Sequence, residues 1–147
     1  MTAAHVCFVY GTLTDPDRVA TVLGSDEPLG RDAVDAIVRG DATLEGLHRV
    51  EGEYPTLAPG GRVDGRLLVV DDTGLDALDE YEGVDRGLYA RVAVPCSHPI
   101  VEDERVWTYV GDPERLDADA AWPGDGSFAS RVRADLDDRD VVVGMRR

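Results

Sequence analysis

Val6-Cys7-Phe8-Val9-Tyr10-Gly11-Thr12-Leu13 decides how this chain reads. Five apolar residues in a row, bounded by glycine, describe a strand buried on both faces, because an alternating pattern would mark a strand with one wet face. Helix signals follow at once. Thr14 or Asp15 can cap, Pro16 suits a first turn, Val19, Val22 and Leu23 give an apolar side, and Gly24 closes it.

Working outward, Ala33–Val38 and Ala42–Val50 read as strands with Gly40-Asp41 as the turn between them. Tyr54–Ala58 reads as a short edge or irregular strand because of Pro55. Pro59-Gly60-Gly61 reads as a turn into a strand over Val63–Val70. Thr73–Gly83 is a short helix, and Tyr89–Pro95 and Arg105–Val110 are two further strands. Gly111–Gly126, with Trp122 inside it, is a long excursion of weak periodicity. Ser127 can cap a last helix through Leu136, and Val141-Val142-Val143 is open between its continuation and a terminal strand. Many short strands with few helices specify an α+β fold, a curled sheet or small mixed β-barrel with helices outside it. A length of 147 residues fits one domain over 1–147.

Composition narrows the function classes. The chain carries 30 Asp and Glu against 15 basic residues, every one of them arginine, for a formal net charge of −15. Phosphate would be repelled and no basic patch offsets it, so nucleic acid is excluded as a partner. A G- and C-rich genome explains part of the Asp and Arg bias but not the sign imbalance. The acids run through all segments rather than forming a tail, which points to a protein of a high-salt organism. No stretch is long and apolar enough to span a membrane, and Met1–His5 shows no basic region leading into an apolar run. The expected location is the cytoplasm, with Cys7 and Cys96 as reduced core thiols. His5, His48 and His98 lie in separate segments and Cys96-Ser97-His98 has no metal spacing, so no metal is expected. Oligomeric state is open.

Two features can carry chemistry. Gly11 lets the chain approach closely after the buried strand, and the amides of Thr12 and Leu13 lie just ahead of a helix, a natural cradle for an anion or oxyanion. Any strand–turn–helix connection also needs such a glycine. The second feature is Glu82. At helical spacing Leu75, Leu78 and Glu82 share one face, while Asp76, Asp79 and Glu80 point elsewhere as solvated acids. An acid that follows two leucines inward is either paired, with Arg86 or Arg91 in reach, or used. Burial and the negative end of a helix both raise its pKa towards the range of a proton shuttle.

Phe8-Val9-Tyr10-Gly11-Thr12-Leu13, Tyr54-Pro55, Val63-Asp64-Gly65, Leu78-Asp79-Glu80-Tyr81-Glu82, Leu88-Tyr89-Ala90-Arg91 and Trp107-Thr108-Tyr109-Val110 together resemble the γ-glutamylcyclotransferase-like superfamily. The resemblance covers about residues 5–110 and points to its γ-glutamylamine cyclotransferase and AIG2-like branch. It implies a pocket at the mouth of a barrel, where the Tyr10-Gly11-Thr12-Leu13 backbone grips a γ-glutamyl substrate and Glu82 moves a proton. It also implies a reaction without a cofactor: the substrate's α-amine attacks its own γ-carbonyl, releasing 5-oxoproline and an amine or amino acid. Tyr54, Pro55, Tyr89 and Tyr109 are further candidates for the pocket wall, Tyr89 and Tyr109 being equally readable as core aromatics. Many relatives carry a basic or glycine-rich stretch after the loop. Thr14-Asp15-Pro16-Asp17 stands there in this chain, which weighs against an anionic group at the substrate's far end. Two rivals remain: a non-catalytic binding member of the same fold, and a hydrolase using Glu82 with Asp79 as a carboxylate pair.

Overall fold

The computed structural model describes residues 5–24, 29–97, 105–138 and 141–145, and of Thr12 the backbone only. The opening stretch forms β1 (His5–Val9), and its two faces feed two separate cores. Phe8 and Tyr10 point into one, with Leu44, Leu47, Leu67, Val92 and Val110; Cys7 and Val9 point into the other, with Val19, Leu75 and Leu78. That double burial is why the run is continuously apolar.

A 3-10 turn (Thr12–Thr14) leads into α1 (Pro16–Leu23). Asp15 is the cap that forms, accepting from the Asp17 amide, while the Thr14 hydroxyl donates to the Gly11 carbonyl. After α2 (Arg31–Ile37) come two long strands, β2 (Val38–Val50) and β3 (Thr56–Val70). Then follow α3 (Asp72–Glu82), a second 3-10 turn (Val84–Arg86), β4 (Tyr89–Pro95) and β5 (Arg105–Gly111). A short α4 (Pro113–Leu116), α5 (Phe128–Asp138) and β6 (Val142–Met145) complete the order. The tail expectation resolves as both helix and strand, and the Ser127 hydroxyl caps α5 by accepting from the Ser130 amide.

The sheet order is β4-β5-β1-β3-β2-β6. The β1–β5 pair is parallel and the other pairs are antiparallel, so the sheet is mixed. It curls until its edges touch: Cys96 bridges Val143, and the Ser97 amide donates to the Val143 carbonyl at 2.8 Å. The fold is therefore α+β, built on a curled six-stranded half-barrel. One concave core is covered by α5 and Trp122, whose Nε1 donates to the Leu57 carbonyl. The opposite face carries α1 and α3.

Four readings are corrected. Ala33–Val38 is not a strand; Val34 and Ile37, three apart, turn one helical face inward and the residues between them are exposed. Gly40-Asp41 is not a turn but part of β2, at a shift in register where Gly40 takes a φ of 151°. Pro59-Gly60-Gly61 is likewise inside β3, opposite Gly46, where Leu47 pairs with Pro59 and Glu45 with Arg62. Gly46, Gly60 and Gly61 all have positive φ, so both strands bulge together and bend. That bend lets two long strands curl the sheet. Nor is there an edge strand at Tyr54–Ala58: Pro55 precedes β3, which lies between β1 and β2 at the centre of the sheet.

Candidate active site

The C-terminal end of β1 and the C-terminal end of α3 open onto one cavity of about 370 Å³. Its wall includes Tyr10, Gly11, Leu13, Tyr54, Pro55, Glu82, Tyr89 and Tyr109, so the fold gathers these sequence candidates around a single space. Thr12 opens the adjoining 3-10 turn, and its side chain lies outside the described residues. Tyr89 and Tyr109 satisfy both readings at once, since they belong to the core and also line the cavity.

Helix α3 delivers Glu82. Asp71 caps it by accepting from the Gly74 amide at 2.8 Å, and Leu75 and Leu78 are buried beneath it. Gly83 then takes the left-handed conformation, φ 72°, and its amide returns to the carbonyls of Asp79 and Glu80. The register thus fixes Glu82 as the last helical residue, half-buried and facing the cavity. Burial pushes its carboxyl up from 4.5 to about 7. Neither expected partner takes it. The Arg86 guanidinium lies against Gly83, where a Cβ would fall 2.9 Å from Nη2, without pairing to Glu82. Among the described residues the Glu82 side chain makes no hydrogen bond or ion pair.

Arg91 pairs instead with Asp79, at 3.5 Å, and stacks over Trp107. Asp79 also accepts from the Tyr109 hydroxyl at 2.7 Å, and its side chain is only 22% exposed. This corrects the reading of Asp79 as a solvated acid. It also leaves the carboxylate-pair hydrolase without a free second carboxylate, because Asp79 is committed to holding Tyr109.

The remaining walls are fixed by backbone acceptors. Tyr10 donates its hydroxyl to the Tyr109 carbonyl, and its own carbonyl accepts from Arg49 Nη1 at 3.0 Å. The Tyr89 hydroxyl donates to the Pro55 carbonyl, tying the Tyr54-Pro55 segment to β4. Thr56, fully buried, both donates to the Gly111 carbonyl and accepts from its amide, pinning the start of β3 to the end of β5. The sequence reading missed Thr56, whose only signal was a hydroxyl next to a proline at a strand start. Burial raises the pKa of Tyr10, Tyr89 and Tyr109 well above the ordinary phenol value, so all three stay neutral. Burial also pushes the Cys7 thiol up to about 12, which removes it as a thiolate nucleophile. His5 contacts Asp72 and the His48 ring meets the Gly60 carbonyl; His98 lies outside the described residues. Among the described residues no three His, Cys, Asp or Glu side chains gather in a metal-binding group. Nor is any described helix long and apolar enough to cross a membrane.

Residues 7–128 match the family model described as gamma-glutamyl cyclotransferase, AIG2-like. The chain belongs to this family. The match to the cyclotransferase model runs past Gly111, beyond the motifs that carry the resemblance. AIG2-like protein C of Arabidopsis thaliana is 35% identical over 120 residues, 76% of this chain, and the chain spans 64% of that relative's length. A solved gamma-glutamyl cyclotransferase shares the fold at a TM-score of 0.58 and 16% identity, over 75% of this chain and 68% of the other. A solution structure from Arabidopsis thaliana is similar at a TM-score of 0.55 and 27% identity, over 94% of this chain and 78% of its own.

Proposed function

We propose that this protein is a γ-glutamylcyclotransferase that cleaves a γ-glutamyl amide to 5-oxoproline and a free amine or amino acid. The observation that carries the reading is Glu82: a carboxyl without a partner among the described residues, pushed up by burial to about 7, on the wall of the cavity that also holds the Tyr10–Leu13 turn. The turn and the amides ahead of α1 grip the γ-glutamyl part. The substrate's α-amine attacks its γ-carbonyl carbon, and the Glu82 carboxylate accepts the proton that the amine loses. The tetrahedral intermediate then expels the far nitrogen, and protonated Glu82 returns the proton to it as the C–N bond breaks. One carboxyl near neutral pKa serves both halves. Nucleophile and electrophile sit in one molecule, so holding the folded conformer supplies much of the acceleration. Tyr54, Pro55, Tyr89 and Tyr109 shape the wall that selects this conformer. We place the reaction in a cytoplasm of high salt, in keeping with the net charge of −15.

Mass spectrometry of 5-oxoproline tests this, after incubation of γ-glutamyl amines and dipeptides with the protein in molar KCl. The expected result is release from at least one of them, and a Glu82→Gln variant slowed by at least about a hundredfold. Failure of the wild type on every compound overturns the activity. A folded Glu82→Gln variant of full activity overturns the shuttle.

A further inference from the structure

Two arginines reach the same cavity from outside the motifs. Arg18 comes from the first turn of α1, just past the Tyr10–Leu13 turn, and Arg86 from the 3-10 turn that follows Glu82. Both are exposed at the opening, with Tyr54 and Tyr81. Among the described residues neither is ion-paired, although the chain has twice as many acids as arginines. The other arginines nearby are committed: Arg49 to Glu51 and the Tyr10 carbonyl, Arg91 to Asp79 and Trp107. Among the described residues Glu82 is the sole acid on the cavity wall.

Resting on the proposed cyclotransferase reading, we infer that Arg18 and Arg86 bind the carboxylate of the leaving group, making the substrate a γ-glutamyl α-amino acid rather than a γ-glutamyl amine. The turn amides serve the glutamyl half, which leaves the guanidinium forks for a second anion farther out. Planar forks suit a carboxylate. A leaving group that carried a second ammonium, as a diamine does, would meet two cations instead. The acidic Thr14–Asp17 stretch is therefore no bar to an anionic far end, since the cations come from the next residue of α1 and from the turn beyond α3.

γ-Glutamyl-alanine and γ-glutamyl-ethylamine differ only by that carboxylate. Wild type is expected to favour the first in kcat/KM by about tenfold or more. An Arg18→Met, Arg86→Met double variant, which keeps the length of the stems, brings the ratio close to one. A wild-type ratio of one or below, or a ratio the double variant leaves unmoved, overturns the inference; the second result would take the arginines away from the leaving group. Calorimetric binding to the Glu82→Gln variant, with turnover slowed, reads the same preference as a ratio of dissociation constants. If wild type turns over no compound of the panel while the carboxylate still governs binding, the catalytic reading falls and the assignment of Arg18 and Arg86 to that carboxylate stands. Equal binding of the two overturns this one.

Discussion

Glu82 is held in a state that costs stability. Its carboxyl titrates at about 7 in the fold against 4.5 for an ordinary glutamate, so the native state binds its proton more tightly than the unfolded chain does. Below 4.5 the group is neutral in both states and contributes no difference. As pH rises from 4.5 through 7, the unfolded chain ionises first, and the native state loses up to roughly 3 kcal/mol relative to a neutral side chain at that site. A Glu82→Gln variant should therefore melt above wild type at pH 8 and with it at pH 4, as scanning calorimetry at the two values would show. A variant less stable than wild type at pH 8 would mean that the ionised carboxylate has a stabilising partner. The activity should move the opposite way: kcat rises with pH through about 7 as the proton acceptor forms. Glu82 was legible from the Leu75–Leu78 register because a helix face repeats. Asp79 was not, because its partners Tyr109 and Arg91 come from strands β5 and β4, at sequence separations no helical spacing encodes.

At the scale of elements, the close approach of β1 and β3 sets where the cavity can open. Val9 pairs with Arg66 and Phe8 with Leu67, and the Phe8 ring crosses Gly65. A Cβ on Gly65 would fall 2.1 Å from the Val9 carbonyl oxygen and 2.8 Å from Phe8 Cζ. The first clash is with backbone, which cannot step aside without parting the strands. Gly65→Ala is thus expected to destabilise by about 3 kcal/mol or more. It should also weaken turnover, since Val9 leads straight into the Tyr10–Leu13 turn; urea unfolding would measure the first effect and 5-oxoproline release the second. A variant within about 0.5 kcal/mol of wild type would refute the tight packing, that being the range of inert surface changes. The sequence carried β1, α1, α3, β4 and β5 well, because each shows one period or an unbroken apolar run with a cap or boundary. It hid the long strands. A positive-φ glycine inside a bulge looks the same as one in a turn, so Gly40 and Gly60-Gly61 broke β2 and β3 into pieces that the sheet joins. Ala33–Val38 failed for a different reason: over six residues, alternation and a helical i, i+3 face cannot be told apart.

For the whole molecule, charge is the dominant unbalanced quantity. With 30 acids and 15 arginines, at least half the acids have no cation to face even if every arginine pairs. Folding gathers those charges onto one small surface, and the unfolded chain spreads them out. At about 0.1 M salt the Debye length is about 10 Å, so neighbouring surface acids feel one another; at 1 M it is about 3 Å and they do not. The melting midpoint should therefore climb between dilute buffer and molar KCl, by about 3 °C for each kcal/mol of repulsion removed in a chain of this length. Salt can also raise a midpoint by strengthening apolar burial, and pH separates the two causes. Near the isoelectric point of about 4.4 the net charge vanishes and the net repulsion with it, whereas apolar burial is unchanged. Circular dichroism melts should show a large gain from KCl at pH 7.5 and a small one at pH 4.5. Equal gains at both values would assign the salt effect to the core, and no gain at pH 7.5 would sink the high-salt reading.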